Sequence, residues 1–320
     1  RGQWTEPWHA AFEIEADGGA QVSGSIICVG HAALDRVYRV ATLPKAAGKI
    51  RAIEHIESGG GMAANAAAAI AKLGGKVELW SRVGDDDSGR LIRNGLKSAG
   101  VDVRYVQTFE DGRSSNAVVI VDDAGERLVV GARDVNMPNG TSWLPLERIA
   151  GAALVLADLR WVEAVRVAFE RARQAGVPTM LDADLGGRES LSEILTLTDY
   201  AIFSHAALDE FLPNLDRQQQ LDRIMLMGPR HAGVTLGENG YMWRDTFGGG
   251  TAEGFVVAVA DTTGAGDAFH GAFALMLGEQ RSIRECARIA NAAAALKCRR
   301  LGARAGLPTR AELDGFLADK

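Results

Sequence analysis

Two aspartates and two glycines lie within seven residues of the stretch DTTGAGDAFHGAFALML, which runs from Asp261 to Leu277. Glycine allows the backbone to approach a ligand closely. If the apolar run that follows is a helix, the amides of Gly264, Ala265 and Gly266 lie at its N-terminus, where phosphate groups bind readily. Asp267 would then stand beside a phosphate site, where it could take a proton from an attacking hydroxyl.

Spacing alone leaves the role of Asp267 open, because an aspartate at a helix start is also a common cap. The apolar run indicates a buried helix whose N-terminus is fixed by packing, as an anion hole requires. Its polar member, His270, is interpreted as a hydrogen-bonded core residue rather than a catalytic one. No G-x-x-x-x-G-K-S/T run occurs in the chain, so a P-loop is excluded as the phosphate site.

The elements that must position this stretch alternate between strands and helices. The apolar run SIICVG (25–30) is typical of a buried parallel strand, and ALVLADL, VPTMLDAD, TDYAIFS and HAGVTLG repeat the pattern. FVVAVA (255–260) is predicted as the buried strand whose carboxyl end leads into the glycine stretch, at the sheet edge where ligands bind. This alternation predicts an α/β fold with a doubly wound, mainly parallel sheet flanked by helices.

Two early stretches, roughly 34–58 and 113–133, do not fit that sheet. Their apolar residues alternate with polar ones, and the second contains the turn signal DDAG between two apolar runs, which predicts a hairpin. We expect them to form a small β lid on one domain that covers 25–320. Residues 1–24 lack the layout of a signal peptide and are predicted to be an N-terminal extension.

Composition narrows the class of protein. The net charge of -6 and the lack of a basic stripe argue against a nucleic-acid partner. Three cysteines without metal-type spacing suit a reducing compartment. No apolar run approaches the ~20 residues of a membrane span. The sequence therefore predicts a cytoplasmic protein with neither a membrane nor a nucleic-acid partner.

Three stretches resemble the ribokinase-like (PfkB) carbohydrate kinases, and they occur along the chain in the same order as in that family. ESGGGMAANAAAAIAKLGGKVELWSRVGDDDSGRLIRNGLKSAGVD resembles the first family signature, and DTTGAGDAFHGAFA resembles the second. ANAAAALKCRRLGARAGLPTRAELDGFL resembles the C-terminal run, so the similarity spans about residues 25–318. The resemblance implies a ribokinase-like fold and transfer of the γ-phosphoryl group of ATP to a sugar hydroxyl, with ATP and Mg²⁺ as cofactors.

The resemblance also implies roles for individual residues. Asp267 matches the catalytic base, and Gly264, Ala265 and Gly266 match the anion hole for the transferring phosphoryl group. The sugar hydroxyls would be held by Asp35, Gly60, Gly61 and Asn65. The adenine side would be formed by Thr235, Gly237 and Asn291. From the residues alone, Gly59–Gly61 would be interpreted as a flexible connector and Asn65 as a helix cap.

The metal arrangement departs from the family pattern. Where many members carry N-x-x-E, this chain reads FSHAALDEF, with Ser204 and Ala207 in place of Asn and Glu. Asp182 and Asp184 close the preceding strand and are candidate Mg²⁺ ligands through water, although aspartates after strands are also common turn formers. Asp261 and the loop RRLGARAG match the region where many members hold a monovalent cation, which predicts a K⁺ site.

Arg160 bears on the substrate, because it follows a predicted strand at the ligand edge of the sheet. It could be a surface residue paired with Asp158 or Glu163, or a clamp for an anionic group on the sugar. Stretches such as LADLRW, TMLDADL and LPKAAGK resemble the sulfofructose kinase branch. That resemblance implies that Lys49 and Arg160 hold the sulfonate of 6-deoxy-6-sulfofructose.

Two other functions stay open at this point. One is a neutral-sugar kinase of the fructokinase or ribokinase type, since Gly131 stands where the sulfofructose branch has an amide side chain. The other is a non-catalytic sugar- or nucleotide-binding homologue, suggested by the missing N-x-x-E. In either case the family resemblance implies a homodimer formed through the exposed face of the lid.

Overall fold

The computed structural model describes residues 24–185 and 188–320, so the predicted N-terminal extension lies outside the described residues except for Gly24. The strands are β1 (Ser25–Val29), β2 (Ala33–Arg39), β3 (Glu54–Gly60), β4 (Val77–Gly84), β5 (Val106–Phe109), β6 (Ser115–Val121), β7 (Arg127–Ala132), β8 (Ala152–Asp158), β9 (Thr179–Ala183), β10 (Tyr200–Ser204), β11 (His231–Thr235), β12 (Tyr241–Asp245) and β13 (Gly248–Ala252). The helices are α1 (Met62–Lys72), α2 (Asp87–Ser98), α3 (Val162–Ala175), α4 (Arg188–Leu195), α5 (His205–Phe211), α6 (Arg217–Met225), α7 (Ala265–Gly278), α8 (Ile283–Cys298) and α9 (Arg310–Ala318). None of these helices is both long enough and apolar enough to cross a membrane.

The main sheet has nine strands in the order β13-β12-β11-β10-β9-β8-β1-β4-β5. Every neighbouring pair from β11 to β5 is parallel, whereas β12 and β13 add to one edge as antiparallel strands. The winding direction reverses at β1, which pairs with β4 on one side and β8 on the other. Open α/β sheets bind ligands at such a switch point. The predicted doubly wound sheet is confirmed.

Helices cover both faces of this sheet, because its inner strands, such as β1, carry apolar side chains on both faces. Its side chains alternate between two hydrophobic cores, as expected for a strand buried on both faces. Ile26 and Cys28 belong to the core shared with α1, α7 and α8, and Ile27 and Val29 belong to the core shared with α3 and α6. All residues of α7 from 268 to 276 are buried, so packing fixes the position of its N-terminus.

The lid is a separate four-stranded sheet in the order β3-β2-β6-β7. Strand β2 pairs antiparallel with β3 and parallel with β6, and β6 and β7 form the hairpin predicted around DDAG. Val37, Val119 and Val121 form its small core. The outermost strand β7 is exposed along its whole length, which leaves an apolar strand edge at the surface.

The strand predicted over FVVAVA is wrong. Residues 253–259 are irregular, and Val256 and Val259 are 89% and 57% exposed. The antiparallel hairpin β12–β13 takes the place beside β11 that this segment would have needed. The chain instead reaches α7 past the end of α8, where the amides of Ala260 and Asp261 both donate to the carbonyl oxygen of Cys298. A short apolar run does not by itself reveal whether a strand partner is free.

Candidate active site

The N-terminus of α7 is shaped for a ligand. Gly264 precedes the helix at φ 77°, a left-handed conformation that favours glycine, and a side chain there would place its Cβ 2.7 Å from the Cβ of Ala303. The amide of Ala265 donates to the carbonyl oxygen of Thr262 at 3.1 Å. Among the described residues the amides of Gly264 and Gly266 have no backbone acceptor. Two of the three predicted anion-hole amides are therefore available to an anion.

Asp267 lies in the first turn of α7, and its Oδ2 accepts a hydrogen bond from Nδ2 of Asn65 at 2.6 Å. No side-chain hydrogen bond caps this helix start, although Asp267 is the acidic residue of the first turn and can complement the helix dipole there. Burial raises the pKa of Asp267 to about 7; the bond from Asn65 opposes this rise, and the charges of Asp184, Asp158 and Asp35 add to it. A carboxylate with this pKa can take up and release a proton near neutral pH.

The orientation of Asn65 is set by a residue that the sequence did not reveal. Nε of Arg304 donates to Oδ1 of Asn65 at 2.9 Å, and a terminal guanidinium nitrogen donates to the carbonyl oxygen of Gly60 at 2.7 Å. Arg304 is only 8% exposed. Burial lowers its pKa to about 10, while attraction to Asp35 and Asp267 opposes that shift. Arg304 is 239 residues from Asn65, and its place in the C-terminal family stretch was the only signal that could have found it.

Asp35 and the glycines of the first signature form the neighbouring wall. The carboxylate of Asp35 packs against Gly60 so closely that a side chain on Gly60 would overlap it. Gly61 begins α1 at φ 89°, and a side chain there would meet the backbone of His31. Burial raises the pKa of Asp35 to about 6, with Arg304 opposing the rise. Asp35, Gly60, Gly61 and Asn65, which were predicted to hold the sugar hydroxyls, thus form one wall close to the candidate base.

A buried carboxylate ties this wall to the centre of the main sheet. Asp158, at the end of β8, accepts hydrogen bonds from the amides of His31, Ala63 and Arg160 at 2.8, 3.0 and 2.8 Å. These bonds hold the end of β1, the start of α1 and the residue after β8 together. The side chain of Arg160 forms no salt bridge with Asp158 or Glu163, so the surface-pair interpretation is not observed.

A cavity of about 750 Å³ has His31 in its wall, next to the end of β1. Its walls carry the guanidinium groups of Arg82, Arg113, Arg133 and Arg160, none of which forms a salt bridge with a described carboxylate. Carboxylates also line the cavity, at Asp134, Glu163 and Glu189. Three of these arginines lie close enough to His31 to lower its pKa, although burial is the larger cause. Lys49, by contrast, is an exposed residue of the loop between β2 and β3 and does not line the cavity.

The arginines come from both parts of the fold. Arg82 belongs to β4, and its guanidinium stacks 4.3 Å above the ring of Trp161 while donating to Asn139 Oδ1 at 2.6 Å. Arg113 and Arg133 flank the lid hairpin, just before β6 and just after β7. An anion in the cavity would therefore contact the lid and the main sheet together. Apart from Arg160, these residues belong to no local motif, because they are scattered along the chain.

Asp182 and Asp184 lie at the end of β9, as predicted. Asp184 Oδ1 accepts from the hydroxyl of Ser204 at 2.8 Å, and Asp182 Oδ1 lies 3.5 Å from Nε2 of His270. His270 is 3% exposed and bonds through Nδ1 to the carbonyl oxygen of Gly266 at 2.8 Å, which fits the core interpretation. Burial raises the pKa of Asp182 well above its usual value. Within the described residues no three acidic, His or Cys side chains converge as a metal site.

Asp261, the other predicted metal ligand, is occupied by protein groups. Its carboxylate accepts from the amides of Thr263 and Gly302, each at 2.8 Å. The ammonium of Lys297 lies 3.5 Å from Oδ2 and donates to the carbonyl oxygen of Asp261 at 2.7 Å. Burial by itself would raise the pKa of Asp261, but Lys297 and the hydrogen bonds outweigh it and lower the pKa. Lys297 is fully buried, so the loop before α7 is pinned by an internal cation.

The predicted adenine-side residues are brought together through one loop. Thr235 ends β11, and Gly237 begins the next turn at φ 60°. That turn packs against residues 252–254, because a side chain on Gly254 would overlap the carbonyl oxygen of Glu238. Asn291 of α8 holds the same loop by donating to the carbonyl oxygens of residues 252 and 253, both at 3.0 Å. Asn291 and the turn that begins at Gly237 therefore contact the same segment, whereas the hydroxyl of Thr235 donates to the carbonyl oxygen of Phe203 at 3.3 Å.

Comparison with known proteins agrees with this geometry. The model of the pfkB family of carbohydrate kinases matches residues 23–310. An ATP-dependent ribose-1-phosphate kinase of Halopiger xanaduensis is 33% identical over 92% of this chain and 98% of its own length. The structure of a putative ribokinase from Agrobacterium tumefaciens superposes with a TM-score of 0.89 at 33% identity, covering 93% of this chain and 98% of that one. Arabidopsis thaliana ribokinase, solved with ribose and ATP, has a TM-score of 0.80 at 27% identity and covers 92% and 99%. The chain belongs to the pfkB family of carbohydrate kinases and is an ATP-dependent enzyme of that class.

Proposed function

We propose that this kinase phosphorylates a sugar that carries an anionic group at the end remote from the accepting hydroxyl. The observation that carries the proposal is the arginine-lined cavity, which is joined to the wall that carries Asn65 through the buried carboxylate of Asp158. Asp158 holds both sites in place, since it binds Ala63, two residues before Asn65, and His31, on the cavity wall. One substrate can thus present a hydroxyl to Asp267 and its charged end to the arginines.

In this mechanism Asp267 takes the proton of the accepting hydroxyl as that oxygen attacks the γ-phosphorus of ATP, the bond from that phosphorus to the β–γ bridging oxygen breaks, and ADP leaves. Its Oδ2 is held by Asn65, which leaves Oδ1 for the hydroxyl. The amides of Gly264 and Gly266 stabilise charge on the transferring group. Closure of the lid over the sugar removes water from the site and limits hydrolysis of ATP.

Two cofactors follow from the reaction class. The adenine of ATP would lie near Thr235, Gly237 and Asn291. Mg²⁺ commonly takes one or two carboxylates together with phosphate oxygens and water, and Asp184, with Asp182 behind it, fits that donor set. When bound, Mg²⁺ neutralises phosphate charge. The predicted K⁺ site at Asp261 remains a prediction, and the ammonium of Lys297 already lies beside that carboxylate.

The anionic end would be bound between the lid and the sheet. Guanidinium groups bind phosphate and sulfonate oxygens through paired hydrogen bonds, and Arg82, Arg113, Arg133 and Arg160 supply them from both sides. A phosphorylated sugar such as ribose 1-phosphate and a sulfonated sugar such as 6-deoxy-6-sulfofructose both satisfy this chemistry. The first is the substrate named for the relative from Halopiger xanaduensis. Lys49, predicted as a sulfonate ligand, lies outside the cavity and would have to reach it by lid movement.

The test is an ADP-release assay with Mg-ATP over matched sugars. Ribose 1-phosphate, fructose phosphates and 6-deoxy-6-sulfofructose are compared with ribose and fructose. We expect a higher kcat/KM for one of the anionic sugars, and a loss of about 1.5–3 kcal/mol of that preference in Arg160→Met. Arg90→Met, an exposed arginine of α2, is the control. A higher kcat/KM for the neutral sugars, unchanged in Arg160→Met, would instead assign a neutral-sugar kinase.

We also propose that the chain is a homodimer formed through the lid. Strand β7 supports this, because Leu128, Val129 and Val130 are 45%, 52% and 62% exposed along an unpaired strand edge. Exposed apolar edge strands readily pair with another chain. Sedimentation of the purified protein tests the proposal, and a monomer at working concentrations would contradict it.

A further inference from the structure

We propose that Arg304 is a positioning residue for the phosphoryl transfer, which acts by fixing the carboxamide of Asn65 so that it holds Asp267. The inference rests on the proposed role of Asp267 as the base. Arg304, Asn65 and Asp267 are joined in series by hydrogen bonds of 2.9 and 2.6 Å. We call these three residues the orienting network.

Arg304 determines which way the carboxamide of Asn65 points. An asparagine side chain has an oxygen that accepts and a nitrogen that donates, and the two ends have nearly the same shape. Guanidinium has no acceptor, so the end of Asn65 that faces Arg304 must be Oδ1. Nδ2 is then directed at Asp267, where a carboxylate accepts it. Without Arg304, the amide could turn its oxygen towards Asp267 and the two acceptors would repel each other.

Arg304 is itself held in place by several contacts. Its guanidinium is bound at two points, by Oδ1 of Asn65 and by the carbonyl oxygen of Gly60, and its own amide donates to the hydroxyl of Ser58 at 3.3 Å. It also fills the space above Gly59, where a side chain would overlap the guanidinium. A buried arginine held at several points is rigid enough to orient a partner.

The orientation of Asn65 affects where the carboxylate of Asp267 lies relative to the accepting hydroxyl. General-base catalysis requires the base within hydrogen-bond reach of the proton it takes, and a misplacement of about 1 Å can cost about 10²-fold in rate. Asp267 makes no hydrogen bond to another described side chain besides Asn65. The orienting network therefore determines where the free oxygen of Asp267 points.

Arg304→Met removes the donor to Asn65 and is the main test. We expect kcat to fall about 10–10²-fold, with the KM for Mg-ATP unchanged because the nucleotide side lies elsewhere. Arg223→Met, an exposed arginine of α6, is the matched control and should keep the wild-type kcat. A wild-type kcat in Arg304→Met would overturn the proposal.

A double-mutant cycle separates an indirect role from direct contact with sugar. If Arg304 acts through Asn65, Arg304→Met should have little further effect on kcat in the Asn65→Ala background. An equal fall in both backgrounds would mean that Arg304 acts directly on the substrate, and the proposal would be wrong. Gly59→Ala is a second route, since it displaces the guanidinium at a non-left-handed position, and it should lower kcat even if Arg304→Met folds poorly.

Asp267→Asn distinguishes a failure of the orienting network from a failure of the proposed function. If Asp267→Asn retains full activity, the base itself is wrong and the proposed function fails. If Asp267→Asn is inactive while Arg304→Met is normal, the base stands and only the orienting network is refuted.

Discussion

The pH dependence of kcat/KM for the sugar is the sharpest prediction that the site offers. Asp267 must be deprotonated to act as a base, so activity should fall as pH falls through its pKa. With a pKa of about 7, the carboxylate form is present in about a tenth of molecules at pH 6 and about nine tenths at pH 8. We therefore expect kcat/KM to rise about tenfold between these pH values.

The assay is ADP release at saturating Mg-ATP, with the KM for Mg-ATP checked at each pH. Asn65→Ala supplies an internal control, because the hydrogen bond from Asn65 opposes the rise in the pKa of Asp267. Its removal should move the acidic limb of the profile to higher pH. A kcat/KM that is the same at pH 6 and pH 8 would refute the assignment of Asp267 as a base with a raised pKa.

Four further predictions follow from single residues. Asp267→Asn should lower kcat by at least ~10²-fold while Mg-ATP still binds, as isothermal titration would show; an unchanged rate would remove Asp267 from the mechanism. Gly264→Ala should weaken Mg-ATP binding and lower the melting temperature, because its left-handed φ and the nearby Ala303 oppose a side chain; wild-type values would contradict this. If the ammonium of Lys297 takes the place of the K⁺ predicted at Asp261, the wild type should be equally active in potassium and tetramethylammonium salts and Lys297→Met should lose activity in both; a strict potassium requirement would instead favour the predicted K⁺ site. Val130→Lys should shift the sedimentation coefficient to that of a monomer if β7 forms the dimer interface, and an unchanged coefficient would place the interface elsewhere.

Much of the fold could be predicted because its signals are local. The run SIICVG is a continuous apolar strand, and the structure places it inside the main sheet as β1, between β8 and β4. The lid was predicted from alternation and a turn signal, which depend only on neighbouring residues. FVVAVA has the same apolar character and yet forms no strand, because strand formation depends on a free partner edge that no local pattern encodes.

The residues of the candidate site also divide into those that a local motif predicts and those that depend on distant contacts. The glycines and Asp267 occupy one short motif, so their proximity at the start of α7 followed from the sequence. Arg304 and the arginines of the cavity could not be found in this way, because the contacts that define them join distant segments. Arg304 reaches Asn65 across 239 residues, and Arg113 and Arg160 meet only when the lid hairpin lies over the end of β8. Lys49 was predicted to bind the substrate from resemblance alone, and its exposed loop position leaves that prediction without support from geometry.

The hydrogen bond between Asn65 and Asp267 joins residues 202 positions apart, and Arg304 lies closer still to the C-terminus. A nascent chain that has completed only β1 to β11 holds the sugar-side wall but neither the base nor its orienting arginine. Such a chain could bind a sugar weakly yet could not transfer phosphate or consume ATP. Catalysis is therefore a direct report that the segment from α7 to Arg304 has docked onto the first signature around Asn65.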